Sequence, residues 1–152
     1  VANVEKNSPA QKAGLESEIE LLEGDSEAIS FDENSFDAVT VAFGVRNFEN
    51  LETGLIEIKR VMKTGAKLII VEATYPSTPV IRQLFHFYMN YVTPVIGKIF
   101  SKNRQAYQYL NDSVKHFPEK QNFVNILNKL GYRNAFYKTL TLGTCTIYCA
   151  EK

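Results

Sequence analysis

Arg46 and Asn47 stand just beyond a near-continuous apolar run, Phe36-Asp37-Ala38-Val39-Thr40-Val41-Ala42-Phe43, and are separated from it by Gly44 and Val45. A forked guanidinium holds an oxyanion through parallel hydrogen bonds. A neighbouring glycine lets a ligand come close, and an amide can orient it. The far end of a buried strand is where α/β proteins place ligand contacts. Upstream, Gly24-Asp25-Ser26-Glu27 follows a short strand-like stretch, Glu18 to Leu22. The Asp25 carboxylate and the Ser26 amide would give a polar edge for a flat ring, with Ile29 and Phe31 as apolar walls. Both clusters have plainer readings. Gly24-Asp25 can be only a turn. Arg46 can pair with a surface carboxylate such as Glu49 or Glu52, or Arg46-Asn47 can cap the next helix.

Glu72 ends a second apolar run, Lys67 to Val71. Two roles are open to it: partner of a Lys or Arg, or polar group at the rim of a site. His86 lies among Phe85, Phe87 and Tyr88 and reads as a structural histidine rather than a base. His116 precedes Phe117-Pro118 and reads as exposed. No His, Cys or Asp cluster has metal-ligand spacing, and no nucleophile motif is present. Cys145 and Cys149 share one face of a strand roughly 13 Å apart, at about 3.3 Å per residue, too far for a disulfide. Free thiols suit a reducing cytoplasm.

The elements that would carry these residues alternate between helix and strand. Val1 to Ala13 reads as the tail of a helix closed by Gly14, and Glu18 to Leu22 as a short strand. Ser26 to Ser35 reads as a loop. Phe36 to Phe43 and Lys67 to Val71 have the pattern of adjacent parallel strands in a sheet centre, covered on both faces. Between them Leu51, Leu55, Ile58, Val61 and Met62 repeat at helical spacing, and Thr64-Gly65 ends that helix. Val80 to Phe100 is a long apolar and aromatic helical region containing Pro94. Ala106 to Val114 and Glu119 to Leu130 read as further helices, the second capped by Gly131. Arg133 to Thr139 and Thr144 to Ala150 form an antiparallel pair.

The chain has 152 residues, 45% hydrophobic and 12% aromatic, which suits one folded domain over 1–152. Its 17 Lys and Arg balance 17 Asp and Glu, so charge offers nothing to a nucleic acid. A pI near 6.9 favours self-association, and a homo-oligomer is one expected state. No run reaches the ~18 apolar residues of a membrane span.

Taken together, these blocks resemble the class I S-adenosylmethionine-dependent methyltransferases. More narrowly, they resemble the quinone-biosynthesis C-methyltransferases that act on demethylmenaquinone and on polyprenyl benzoquinol precursors of ubiquinone. The resemblance rests on Gly24-Asp25-Ser26-Glu27-Ala28 with Phe31, and on Asn34-Ser35-Phe36-Asp37 with Phe43-Gly44-Val45-Arg46-Asn47. It also rests on Arg60-Val61-Met62-Lys63-Thr64-Gly65-Ala66-Lys67-Leu68 with Val71-Glu72, and on Tyr109-Leu110, Ser113-Val114 and Phe117-Pro118. It departs from the family pattern at Thr64-Gly65-Ala66, where Pro-Gly-Gly is usual, and at Ala42, where Ser is common.

The resemblance implies a Rossmann-like α/β sheet, mostly parallel, with an antiparallel C-terminal strand pair. These residues would be its C-terminal part, without the first two strands, the glycine-rich loop or the acidic residue that holds the ribose. It implies S-adenosylmethionine as cofactor, contacted by Asp25, Ser26, Ala42, Phe43 and Gly44, with Arg46 and Asn47 as catalytic residues and no metal. The implied partner is a lipophilic quinol, with cytoplasmic placement or peripheral contact at the inner membrane face. The aromatic stretch Leu84 to Phe100, with Tyr107 and Tyr109, reads either as ordinary core or, from its apolar residues between two prolines, as a lid for an isoprenoid tail. The alternative is a non-catalytic module of the same fold that acts by binding or dimerisation. These 152 residues alone are expected to bind S-adenosylmethionine weakly or not at all. Calorimetric titration at millimolar ligand tests this, and a micromolar dissociation constant would contradict it.

Overall fold

The computed structural model describes residues 22–92, 109 and 112–152. The expected helix tail over Val1 to Ala13 lies outside these residues, as do the expected strand Glu18 to Leu22 except for Leu22, the stretch beyond Val92 in the long apolar helical region, and the expected helix Ala106 to Val114 except for Tyr109 and 112–114. Four strands form one sheet: β1 (Phe36–Ala42), β2 (Met62–Ala73), β3 (Arg133–Leu140) and β4 (Cys145–Glu151). Their order is β1-β2-β4-β3. β1 and β2 are parallel, with Ala42 level with Val71. β4 lies antiparallel between β2 and β3. Three strands therefore point one way and the last is inserted in reverse, which matches the expected sheet with its antiparallel C-terminal pair.

The connection from β1 to β2 runs through α1 (Leu51–Val61). Asn50 caps its start by accepting the Thr53 amide at 3.1 Å. Leu55, Ile58 and Val61 fall on its buried face. Gly54 is needed because a Cβ there would sit 2.4 Å from the Phe48 ring. After β2 comes α2 (Pro79–Phe87), which continues into a π turn over Tyr88–Val92. α3 (Gln121–Lys129) buries Phe123, Val124 and Leu127. Gly131 follows it at φ +77°, the left-handed conformation that ends a helix, and its amide reaches Asn128 O.

Two sequence expectations need correction. Helix α1 does not run to Thr64-Gly65; it ends at Val61 and Met62 already belongs to β2. The exposed Thr64-Gly65 pair instead occupies a break in register, where Phe36 faces Met62 but Ala38 faces Lys67. The second concerns cover on both faces of β1 and β2. The core-facing side of β2 is buried at Met62, Ala66, Leu68, Ile70 and Glu72, but Lys67 and Ile69 on the other side are exposed. β1 is an edge strand among the described residues and exposes Ala38, Thr40 and Ala42. Its apolar run reads as two-sided because its outward positions are small, while only Val39 and Val41 pack against the core.

One face of the sheet meets α1 and α3 in a single cluster of Leu55, Ile58, Leu68, Ile70, Phe123 and Tyr148, among others. Two tyrosines bring hydroxyls into it. Tyr132 donates to Leu55 O at 2.8 Å, and Tyr148 accepts the Lys120 amide at 2.7 Å. Burial raises both phenols above the usual value of 10, Tyr148 to about 12. An acid whose folded pKa is raised stabilises the fold below its unfolded pKa, and that stability is lost as pH rises. Stability is therefore expected to decline above pH ~10. Tyr132→Phe should cost about 1 kcal/mol at neutral pH and flatten that alkaline decline. Urea unfolding of both forms at neutral and alkaline pH measures this.

Candidate functional site

The carboxyl ends of β1 and β2 lie side by side, and the sequence motifs emerge there. The Phe43 amide donates to Val71 O at 2.8 Å, so the sheet pairing extends one residue past β1. Phe43 then adopts φ +55°, a strained conformation for an aromatic residue. Its ring is left about half exposed. Gly44 turns the chain into a short 3-10 segment, Val45–Asn47, closed by the Asn47 amide on Gly44 O at 2.9 Å. A Cβ on Gly44 would meet Val41 Cγ1 at 3.1 Å, so this corner is tight. Val45 is buried and anchors the turn.

Arg46 points back over the end of β2. Its Nη1 donates to Glu72 Oε2 at 2.6 Å and its backbone amide to Glu72 Oε1 at 3.3 Å. The side chains are 11% and 0% exposed. This answers the reading left open for Glu72: it is the partner of an arginine, deep in the sheet, and not a polar group on the rim. It also replaces Glu49 and Glu52 as candidate partners of Arg46; Glu52 instead pairs with Lys129 at 2.8 Å. Capping of the next helix falls to Asn50, not to Arg46 or Asn47.

The guanidinium also stands 5.9 Å over the Phe43 ring. Its Nε is buried without a hydrogen-bond partner among the described residues. A buried donor with no partner at a strand end calls for an explanation, because such groups are rare in native folds. The cleft beside Arg46 measures about 210 Å³ and is lined by Phe48, Glu49, Ser113, His116 and Phe117 among others. Asn47 is held from two sides. Its amide nitrogen donates to Phe43 O at 3.4 Å, and its Oδ1 accepts the Tyr109 hydroxyl at 3.1 Å. Tyr109, read from the sequence as part of the aromatic core or lid, was not expected to reach Asn47.

The Asp25 cluster lines a different cleft, of about 350 Å³, with Leu22, Ser26, Ile29 and Phe31. The Asp25 Oδ1 accepts the Glu27 amide at 2.9 Å, so the turn reading of Gly24-Asp25 holds. The two clusters are linked by Glu27, whose Oε1 accepts the Asn50 amide at 2.5 Å. Apolar walls with a carboxylate at the edge fit a flat heteroaromatic ring such as adenine. Ala42 is exposed at the end of β1 beside this strand edge.

His86 is exposed and contacts Asn90 through Nδ1 at 2.6 Å, in keeping with a structural role. His116 is exposed, and its Nδ1 meets Asp112 O at 2.8 Å. Cys145 and Cys149 are free thiols on the same face of β4. Burial pushes the Cys145 thiol up.

Breaking the Arg46–Glu72 pair from one side strands a buried charge. Glu72→Leu is expected to cost about 3–5 kcal/mol, whereas Arg46→Met with Glu72→Leu together should cost less than Glu72→Leu alone. Chemical denaturation of the three variants and the parent gives the answer. Additive losses would mean that the pair is not coupled.

Known proteins supply the remaining evidence. The model of the ubiE/COQ5 methyltransferase family matches residues 4–152. The demethylmenaquinone methyltransferase of Bacteroides fragilis is 42% identical over 142 residues, which is 93% of this chain and 58% of that protein. The mitochondrial 2-methoxy-6-polyprenyl-1,4-benzoquinol methylase of Arabidopsis thaliana is 37% identical over 152 residues, 99% of this chain and 52% of that protein. The chain thus spans little more than half the length of these relatives. Among solved structures, an S-adenosylmethionine-dependent methyltransferase of Thermotoga maritima matches the fold with a TM-score of 0.61 at 17% identity, covering 94% of this chain and 67% of that one. With its strand order, its Phe-Gly-x-Arg-Asn corner and a family match over nearly its whole length, this chain belongs to the ubiE/COQ5 methyltransferase family.

Proposed function

We propose that the natural protein is an S-adenosylmethionine-dependent C-methyltransferase acting on a polyprenyl quinol of the demethylmenaquinol or benzoquinol type. The observation that carries this reading is the braced, half-satisfied Arg46 guanidinium at the carboxyl end of β1, in a chain whose relatives are named for both quinol classes. No observation favours the alternative of a non-catalytic module.

S-adenosylmethionine, when bound, supplies an electrophilic methyl group on a sulfonium. Asp25 and Ser26 would hold the adenine edge, and the Ala42-Phe43-Gly44 corner would lie along the cofactor. A quinol hydroxyl that loses its proton makes the neighbouring ring carbon nucleophilic. Arg46 would stabilise the resulting quinolate through the donor that Glu72 leaves unused, and Asn47 would orient the ring. Such preorganised donors in a dry site act where charge develops, and positioning contributes the rest.

The lipophilic partner has a candidate surface on α2 and its π turn. Ile81, Phe85 and Met89 face inward, while Val80, Leu84, Phe87, Tyr88 and Tyr91 form an exposed stripe at helical spacing. An apolar stripe of this kind suits an isoprenoid tail and peripheral contact with the membrane that carries the substrate. No helix among the described residues is long and apolar enough to cross a membrane. A homo-oligomer remains part of the proposal on the ground of the near-neutral charge balance.

Arg46→Lys in the full-length natural protein tests the reading. Lys keeps a charge toward Glu72 but loses the fork. Turnover should fall roughly a hundred- to thousand-fold, about 2.7–4 kcal/mol of transition-state stabilisation, with cofactor affinity little changed. If Arg46 serves only the ion pair, stability will fall and turnover will hold, and the catalytic assignment is then wrong.

A further inference from the structure

We infer that Glu57 and Arg60, one turn apart on α1, are positioning residues that fix the Asp25–Phe31 loop and thereby set which base the cofactor cleft accepts. This rests on the reading above that the loop is the adenine edge. The loop has almost no regular pairing of its own, only a bridge between Asp25 and Ala28. Among the described residues, its backbone bonds to the rest of the chain all pass through these two side chains. Arg60 Nη2 donates to Ile29 O at 2.8 Å and Nη1 to Phe31 O at 2.8 Å. Glu57 Oε2 accepts the Ile29 amide at 3.2 Å.

The two side chains also lock each other. Arg60 Nε reaches Glu57 Oε1 at 2.9 Å and Nη2 reaches Glu57 Oε2 at 2.9 Å. The arginine holds the Glu57 carboxyl below its usual range, so the pair stays charged at neutral pH. A planar fork that spans two carbonyls and a carboxylate is a task that lysine cannot perform. What the clamp places is specific. Ile29 and Phe31 are the walls of the cleft and Asp25 and Ser26 are its edge. The Phe31 ring is further set edge-on to Phe36 at 4.9 Å. Neither Glu57 nor Arg60 lines that cleft, so they act through the loop and not on the ligand.

The test is base discrimination in the full-length natural protein. S-adenosylhomocysteine and its inosine counterpart, with a carbonyl in place of the six-amino group, are titrated by calorimetry into the parent, Arg60→Met, Arg60→Lys and Glu57→Gln. Melting temperature and the quinol KM are taken on the same preparations. The parent should prefer the adenine form. Arg60→Met should lose about tenfold in affinity for it, the worth of a charge-assisted hydrogen bond. Its preference between the two bases should collapse toward unity while the quinol KM holds. Arg60→Lys should recover part of the preference. Glu57→Gln, which keeps both Arg60–carbonyl bonds, should lose less, and it serves as the readout should Arg60→Met not fold. A lowered melting temperature with the base preference intact in these variants overturns the inference and leaves the clamp a fold-stabilising contact. A parent that binds S-adenosylhomocysteine without preferring adenine overturns the adenine-edge reading itself, and this inference with it.

Discussion

A carboxylate buried inside a sheet must be matched, and Glu72 at the end of β2 is matched by Arg46 alone among the described side chains. That requirement shapes the whole carboxyl edge. Glu72 sits opposite Thr146 of β4, and Thr74 and Thr146 share a hydrogen bond at 2.8 Å. These three residues, all fully buried, form a polar layer over the otherwise apolar core. To reach Glu72, the chain after β1 must turn sharply, and the strained Phe43 and the tight Gly44 make that turn. The ion pair is weak evidence for stability as such, because desolvation offsets much of the attraction. Its consequence is geometric: the guanidinium is held in one orientation, with a donor left over.

Helix α1 is the second organising element. Its inner face fills the core, while its polar residues tie distant segments to it. Glu57 and Arg60 hold the loop before β1, Lys59 reaches Leu130 O at 2.8 Å, and the Leu55 carbonyl receives Tyr132. Both clefts are therefore tied to one helix. Glu57 and Arg60, in the second half of α1, hold the loop that lines the cleft at Asp25, and Leu51 at its first turn lines the cleft at Arg46.

Much of this was legible in the sequence. The period of Leu51, Leu55, Ile58 and Val61 marked α1, Gly131 marked the end of α3, and the two C-terminal apolar stretches marked the β3–β4 pair. Parallel pairing of Phe36–Ala42 with Lys67–Val71 followed from the helix between them. Facts that depend on partners were less legible. Asp25, Arg46 and Glu72 each had a plain and a functional reading, and single residues do not say which they meet. The signal for Arg46 and Glu72 existed nonetheless: aligning the two parallel runs brings the ends of β1 and β2 together, and the first charge past each is Arg46 and Glu72. Cover on one face of the sheet was not legible, because Ala38, Thr40 and Ala42 are too small and neutral to betray exposure. The role of Arg60 was hidden as well, since its partners are backbone carbonyls and leave no trace in residue types.

The central claim is that Glu72 holds Arg46 so that its spare donor meets the quinol oxygen. The direct measurement is a crystal structure of the full-length natural protein with S-adenosylhomocysteine and a quinol analogue bound. The account predicts that Arg46 keeps its bond to Glu72 while another guanidinium nitrogen lies within hydrogen-bond distance of the quinol oxygen next to the carbon to be methylated. A quinol oxygen held by other groups, with Arg46 bonded to Glu72 only, would contradict it.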